Sequence, residues 1–305
     1  MTAIAFCSGG VAMRPELSFK EEGEAARAAG FEVLAIDHDA AEQGEAEKVA
    51  RHLQKQPGVV PTIFHGWMLN PAGYSTLYQA LDRLGYRLIN SPREYTLCHH
   101  LPHCLQALGD ATPETWFVPW DGSGPAPIDE LLDMAGSGPA IVKDYAKSEK
   151  HMWAKACFIP DVADRSAARE VISNFVLVRG PFLEGGLVLR RFEPLKQIAS
   201  PDVGGLPRVA EWRTWWLNGR MFLSSPNHEV PNGMTLPPFP QEFVAGVAAK
   251  IRSNFFTLDV ALRDDGEWRI IEPGDGQVAG VPPSVSHKTF YEALAMAVEL
   301  GKSDD

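Results

Sequence analysis

The most legible chemistry lies in Leu258-Asp259-Val260-Ala261-Leu262-Arg263-Asp264-Asp265-Gly266-Glu267-Trp268-Arg269-Ile270-Ile271-Glu272. Asp265-Gly266 is a two-residue hairpin signal, because both positions tolerate positive φ. A turn there sets Asp264 opposite Glu267, Val260 opposite Ile271 and Asp259 opposite Glu272. Directly opposed residues share one side of a sheet, with Cβ atoms roughly 4.5–5.5 Å apart. Two carboxylates therefore face each other between strands made largely of Leu, Val and Ile. Like charges so placed repel, and a divalent cation removes the penalty. One or two carboxylates plus substrate phosphates is the usual way a protein holds Mg²⁺. The continuation Pro273-Gly274-Asp275-Gly276-Gln277 offers a further carboxylate, Asp275, and an amide.

Phosphates also call for cations, and three segments supply them. Ala140–Lys147 begins as a buried strand, and alternation puts Lys143, Tyr145 and Lys147 on one face, while Lys150 is left to the surface. Leu187–Phe192 is a second apolar strand; alternation sends Arg190 and Arg191 to opposite faces, so at most one enters a cleft. In Glu211–Phe222, Asn218-Gly219 closes another hairpin, and Glu211 and Arg213 share a face with Trp215. An arginine on a rigid strand suits bidentate recognition of phosphate.

The elements that must position these residues fall into two styles. Residues 1–90 alternate strands (Ala3–Cys7, Phe31–Ile36, Thr62–Phe64, Tyr86–Ile89) with helices (Glu16–Ala29, Ala41–Gln56 and one around Leu77–Leu84), the pattern of a parallel, Rossmann-like sheet. Ser91-Pro92 reads as a cap and first turn of a helix that Pro102 ends near Leu101. Beyond it come paired strands with tight turns beside helices, an α+β arrangement. Pro- and Gly-rich loops are expected at Gly122–Pro127, Pro201–Pro207 and Pro226–Pro240.

The chain's 305 residues can bury a sizeable core in one large or two modest domains. Its formal net charge of −11 repels polyanions, which argues against nucleic acid as the main partner. No run of about 18 apolar residues suggests a membrane span. Four scattered cysteines make no disulfide framework, so a reduced, cytoplasmic setting is expected. Cys98-His99-His100-Leu101-Pro102-His103-Cys104 holds metal-binding side chains at a spacing that fits no zinc motif, and Pro102 breaks the i,i+4 relation of His99 and His103. A structural or substrate-facing role is expected there.

In order, a lysine strand (Ala140–Lys147), an arginine strand (Leu187–Phe192), a Glu/Arg hairpin (Glu211–Phe222) and paired carboxylates (Asp259, Glu272) resemble the ATP-grasp superfamily. They are most similar to its clade named for one arginine and two lysines. The resemblance implies a Rossmann-like pre-ATP-grasp domain over residues 1–90 and a two-lobed ATP-grasp domain with antiparallel sheets over 91–305. ATP would lie between lobes of roughly 91–190 and 191–305. Lys143 and Lys147 would contact ATP, Arg213 the γ-phosphate or acyl phosphate, and Arg191-Phe192-Glu193 would pass the adenine, with Glu211 beside them. Asp259 and Glu272 would hold Mg²⁺ or Mn²⁺. The family usually has Asn where Gly274 stands, so Asp275 is taken as the substitute ligand. Arg213 and Lys147 are the expected catalytic residues. The implied activity is ATP-dependent joining of a carboxylate to an amine on small-molecule or peptide substrates, by a monomer or homodimer. A kinase on the same scaffold and a non-catalytic ATP-binding assembly factor are the competing readings.

Overall fold

The computed structural model describes residues 1–8, 14–200, 207–231 and 233–301. The N-terminal part is a parallel four-stranded sheet. Its elements are β1 (Ala3–Cys7), α1 (Lys20–Ala28), β2 (Glu32–Ile36), α2 (His38–Glu42), α3 (Ala46–Val49), β3 (Val60–His65), α4 (Pro71–Asp82) and β4 (Tyr86–Leu88), with strand order β2-β1-β3-β4. The single helix expected over Ala41–Gln56 is instead two short ones. Gly44 at φ 76° separates them, a conformation that no helix interior contains.

Two helices follow, α5 (Pro92–His99) and α6 (Leu101–Leu108). Ser91 and Glu94 form a reciprocal capping box at the start of α5. The helix breaks at His100, and Pro102 sits in the first turn of α6, where a missing N–H costs nothing.

An antiparallel sheet with its helices is then built from β5 (Thr115–Pro119), α7 (Ile128–Ala135), β6 (Ala140–Asp144), α8 (Trp153–Ala156), β7 (Phe158–Ile159), α9 (Arg165–Arg179) and β8 (Gly186–Arg191), with strand order β5-β8-β6-β7. A small ribbon, β9 (Gln197–Ala199) and β10 (Arg208–Val209), leads on. The last sheet comprises β11 (Glu211–Leu217), β12 (Arg220–Pro226), α10 (Gln241–Ala248), β13 (Phe255–Leu262), β14 (Trp268–Asp275) and α11 (His287–Gly301), with strand order β12-β11-β13-β14. The loop expected at Pro201–Pro207 lies almost wholly outside the described residues.

Both faces of the β11–β14 sheet are covered. Trp215, Leu217 and Phe255 pack with Phe290, Tyr291 and the N-terminal sheet, so that core does not stop at residue 90. Trp216, Phe256, Leu258 and Val260 pack against Cys98, Leu101 and α10. Strand alternation makes this division, and it leaves Arg213 and Asp259 on the first face.

Candidate active site

Across three adjacent strands, Arg213 on β11 pairs in register with Asp259 on β13, and Asp259 with Glu272 on β14. The side chains of a directly opposed set project to one side, so the expected pair of acids is brought together. Arg213 grips Asp259 with two hydrogen bonds, Nε to Oδ1 at 2.8 Å and Nη2 to Oδ2 at 2.7 Å. Lys143 reaches over from β6 in the other antiparallel sheet and donates from Nζ to Glu272 Oε1 at 2.6 Å. Both Lys143 and Asp259 are 6% exposed.

The electrostatics are unequal. Burial drives the Asp259 carboxyl up to about 6; Arg213 opposes this, and Glu211 and Glu272 add to it. For Glu272, burial also pushes upward, but Lys143, Lys150 and Arg190 outweigh it and hold the carboxyl at about 2. Arg213 is raised above the usual arginine range: burial acts against the charge, and Asp259, Glu211 and Glu272 more than compensate. Glu211 takes Asn227 Nδ2 at 2.8 Å on Oε1 and His228 Nε2 at 3.2 Å on Oε2. Asn227 Nδ2 also stands 3.5 Å from Asp259 Oδ2. Even with Arg213 in place, Asp259 binds a proton more tightly than a free carboxyl does. The oxygen-rich donor set therefore fits a hard divalent cation, which would relieve that repulsion.

The register arises differently from its expected cause. The turn is a three-residue loop: Arg263 N–H donates to the Glu267 carbonyl at 2.8 Å, and Gly266 takes φ 92°. Arg263, not Asp264, thus faces Glu267, and Val260 pairs with Ile270 rather than Ile271. Ile271 bulges out, and the two one-residue shifts cancel at Asp259 and Glu272.

Other expected residues are placed elsewhere. Asp275 pairs with Phe256 and so lies on the opposite face from Glu272. Its Oδ2 accepts from Asn90 Nδ2 at 2.6 Å, and its Oδ1 accepts from Gln277 N at 2.9 Å. It does not join the pair as a ligand. Gly274 is on the correct face, but a Cβ there would meet Thr257 Oγ1 at 2.7 Å, so Thr257 takes up the room of a longer side chain. Arg191 packs over the Trp116 ring at 4.7 Å and donates to the Ser137 carbonyl; its neighbour Arg190 turns inward and is 8% exposed. The Glu193 carboxylate is engaged by Arg269 Nε at 3.0 Å and Arg263 at 3.4 Å. Phe192 sits edge-on to Phe158, centroids 4.9 Å apart, with Trp153 at 5.9 Å.

Lys147 lies on the exposed turn after β6. Partial burial draws its ammonium below the usual lysine range; Glu272 opposes this, and Arg179 and Lys143 reinforce it. Lys150, left to the surface by the sequence pattern, is exposed, yet its charge acts on both Glu272 and Glu211. Asn227 and His228 were not anticipated; they open the Pro226–Pro240 loop, and no periodicity marks them.

A three-strand row of Arg, Asp and Glu met by a lysine from a second sheet is the arrangement expected of ATP-grasp enzymes. Within the clade named for one arginine and two lysines, the model for the family 3 ATP-grasp domain matches residues 132–294, more than half of the chain. The chain belongs to that family. No protein of curated function matches it. Among solved structures it is similar to the RimK domain ATP-grasp protein from Sphaerobacter thermophilus, with 16% identity, TM-score 0.57 and coverage of 97% of this chain and 98% of that one. The ATP-grasp ligase PsnB, solved with minimal precursor, Mg and ADP, is 12% identical at TM-score 0.54, covering 97% and 98%. The D-alanine–D-alanine ligase from Bacillus anthracis, solved with ATP, is 15% identical at TM-score 0.55 and covers all of both chains. At such identities the likeness concerns the fold. Among the described residues no helix is long and apolar enough to cross a membrane.

Proposed function

We propose that this protein is an ATP- and magnesium-dependent ligase that joins a carboxylate to an amine. The observation that carries the reading is the opposed pair Asp259 and Glu272, each already met by a cation, Arg213 or Lys143. Asp259 and Glu272 would hold the metal, which when bound neutralises phosphate charge and polarises the γ-phosphoryl group. ATP would lie between the β5–β8 and β11–β14 sheets, with Phe192, Phe158 and Trp153 forming an apolar wall suited to a base. Lys143, Lys147 and Lys150 supply positive charge along the phosphates.

In the reaction, the substrate carboxylate attacks the γ-phosphorus and ADP leaves, giving an acyl phosphate. The amine then attacks the acyl carbon and expels phosphate. Arg213, held flat by its two bonds to Asp259 and one from Nη1 to the Gly280 carbonyl at 3.0 Å, would present its remaining N–H groups to the transferring group. Glu211 with His228, 3.2 Å apart, would orient the incoming amine and accept its proton. Catalysis is positioning and charge neutralisation, with no protein nucleophile. PsnB, also solved with a precursor peptide, makes short peptides a natural class to test beside amino acids.

The test is an ADP-release screen over amino acids and short peptides, with wild type and Asp259→Asn side by side. Amide product with ADP and phosphate from wild type alone is expected. A phosphoester product would favour a kinase, and equal turnover by Asp259→Asn would remove the site assignment.

A further inference from the structure

We propose that His99, His100 and Glu184 form a site for a divalent transition metal of the zinc class, bracing the α5–α6 junction against the β5–β8 sheet. The inference does not rest on the ligase reading, and none of its ligands belongs to that reading.

Adjacent residues on a continuous helix point about 100° apart. Here the helix is not continuous. Pro102 would lose a bond to Cys98 and clash with its carbonyl if α5 ran on. The chain instead opens at His100, with φ −101° and ψ 107°. That break lets both imidazoles aim at one point. His100 Nε2 lies 2.8 Å and His99 Nε2 3.4 Å from the same oxygen, Glu184 Oε1. All three donor atoms are within 4.8 Å of one another. Ligands about 2.0–2.1 Å from a tetrahedral zinc stand about 3.3 Å apart, so small side-chain adjustments accommodate the ion. The pair that converges is His99 with His100, not the i,i+4 pair His99 and His103.

A second observation points to a ligand. His99 is 8% exposed, and its buried Nε2, though 3.4 Å from Glu184 Oε1, makes no well-formed hydrogen bond. A buried nitrogen without a full hydrogen bond is costly unless something coordinates it. Glu184 is rigidly set: its N–H donates to Asp144 Oδ2 at 3.3 Å, and its carbonyl accepts from Tyr145 N at 3.1 Å. Leu101 N–H donates to the Tyr145 carbonyl at 2.9 Å, so the two ligand segments are already joined by backbone. The Glu184 side chain is 21% exposed, which gives a fourth position access to water. By contrast, the other grouping of this type, His38, Asp39 and Glu42, has two of its three members exposed.

The test uses the full chain stripped by a chelator and titrated with Zn²⁺ against a chromogenic competitor, with Co²⁺ absorption as a second readout. One zinc per chain and four-coordinate cobalt bands are expected. Glu184→Gln and His100→Ala should weaken zinc binding on the order of 100-fold, while His38→Ala, in the other grouping of this type, leaves it unchanged. If His100→Ala does not fold by circular dichroism, the isosteric Glu184→Gln decides. Absence of stoichiometric zinc, affinity unmoved by Glu184→Gln, or loss in His38→Ala would overturn the proposal. None of these outcomes bears on ATP turnover.

Discussion

Arg190 Nη1 donates to the carbonyl of Ile271, the residue bulged out of β14 immediately before Glu272. Its Nη2 reaches the Ile270 carbonyl at 3.1 Å and Thr112 Oγ1 at 2.5 Å, and the Thr112 hydroxyl donates to Ile270 O at 2.8 Å. A bulge disrupts the ladder locally, and its buried carbonyls need donors. Burial pulls the guanidinium down to about 10, with Glu272 and Glu193 opposing. A one-residue slip of β14 would turn Glu272 to the other face. Arg190, with Thr112, therefore holds the bulge that keeps Glu272 on the face of Asp259.

Arg190→Met keeps an unbranched apolar stem and removes the guanidinium donors. We expect a loss of about 2–4 kcal/mol in stability, because two buried carbonyls are left short of partners. Urea denaturation measures it. Arg191→Met, which changes an outward-facing contact, should cost about 1 kcal/mol or less. Equal losses for the two variants would contradict the clamp.

Gly274→Asn restores the residue type expected after the second carboxylate, but its Cβ would crowd Thr257 Oγ1. The single variant should lose about 1–3 kcal/mol. Added to Thr257→Ala it should lose clearly less than the sum of the two single changes, a coupling that a double-mutant cycle on thermal melts reads directly.

Asp275 supplies a pH dependence. Burial raises its carboxyl to about 6, with Asn90 and Gln277 opposing. A raised acid favours the folded state while protonated, so the contribution is full below the ordinary aspartate value and is lost as pH rises through about 6. The size is about 2–3 kcal/mol. Stability curves from pH 4 to 7 should show a decline that is about 2–3 kcal/mol smaller in Asp275→Asn than in wild type, because Asp259, also raised to about 6, keeps its own share.

Much of this site was legible in the sequence because alternation and turn chemistry are local. The hairpins and the lysine strand follow from residues close in the chain, whereas the expected facing of Asp259 with Glu272 holds only because the longer turn and the bulge at Ile271 cancel. What escaped depends on distant partners. The bulge at Ile271 is held by Arg190, 81 residues away, and Thr112 bonds Ile270 from 158 residues away. The choice of Arg190 over Arg191 rests on the same contact. Asp275 looked like a ligand because it follows Glu272 closely; Asn90 and Gln277 claim its oxygens on the opposite face. Asn227 and His228 come from a loop with no pattern to read.

The ligase reading requires that Asp259 and Glu272 share one cation with the nucleotide. Electron paramagnetic resonance of Mn²⁺, with and without a non-hydrolysable ATP analogue, tests it most directly. Wild type should take up Mn²⁺ in a nucleotide-dependent manner, and Asp259→Asn and Glu272→Gln should each weaken that uptake at least about tenfold. Undiminished, nucleotide-dependent Mn²⁺ binding in both variants would contradict it.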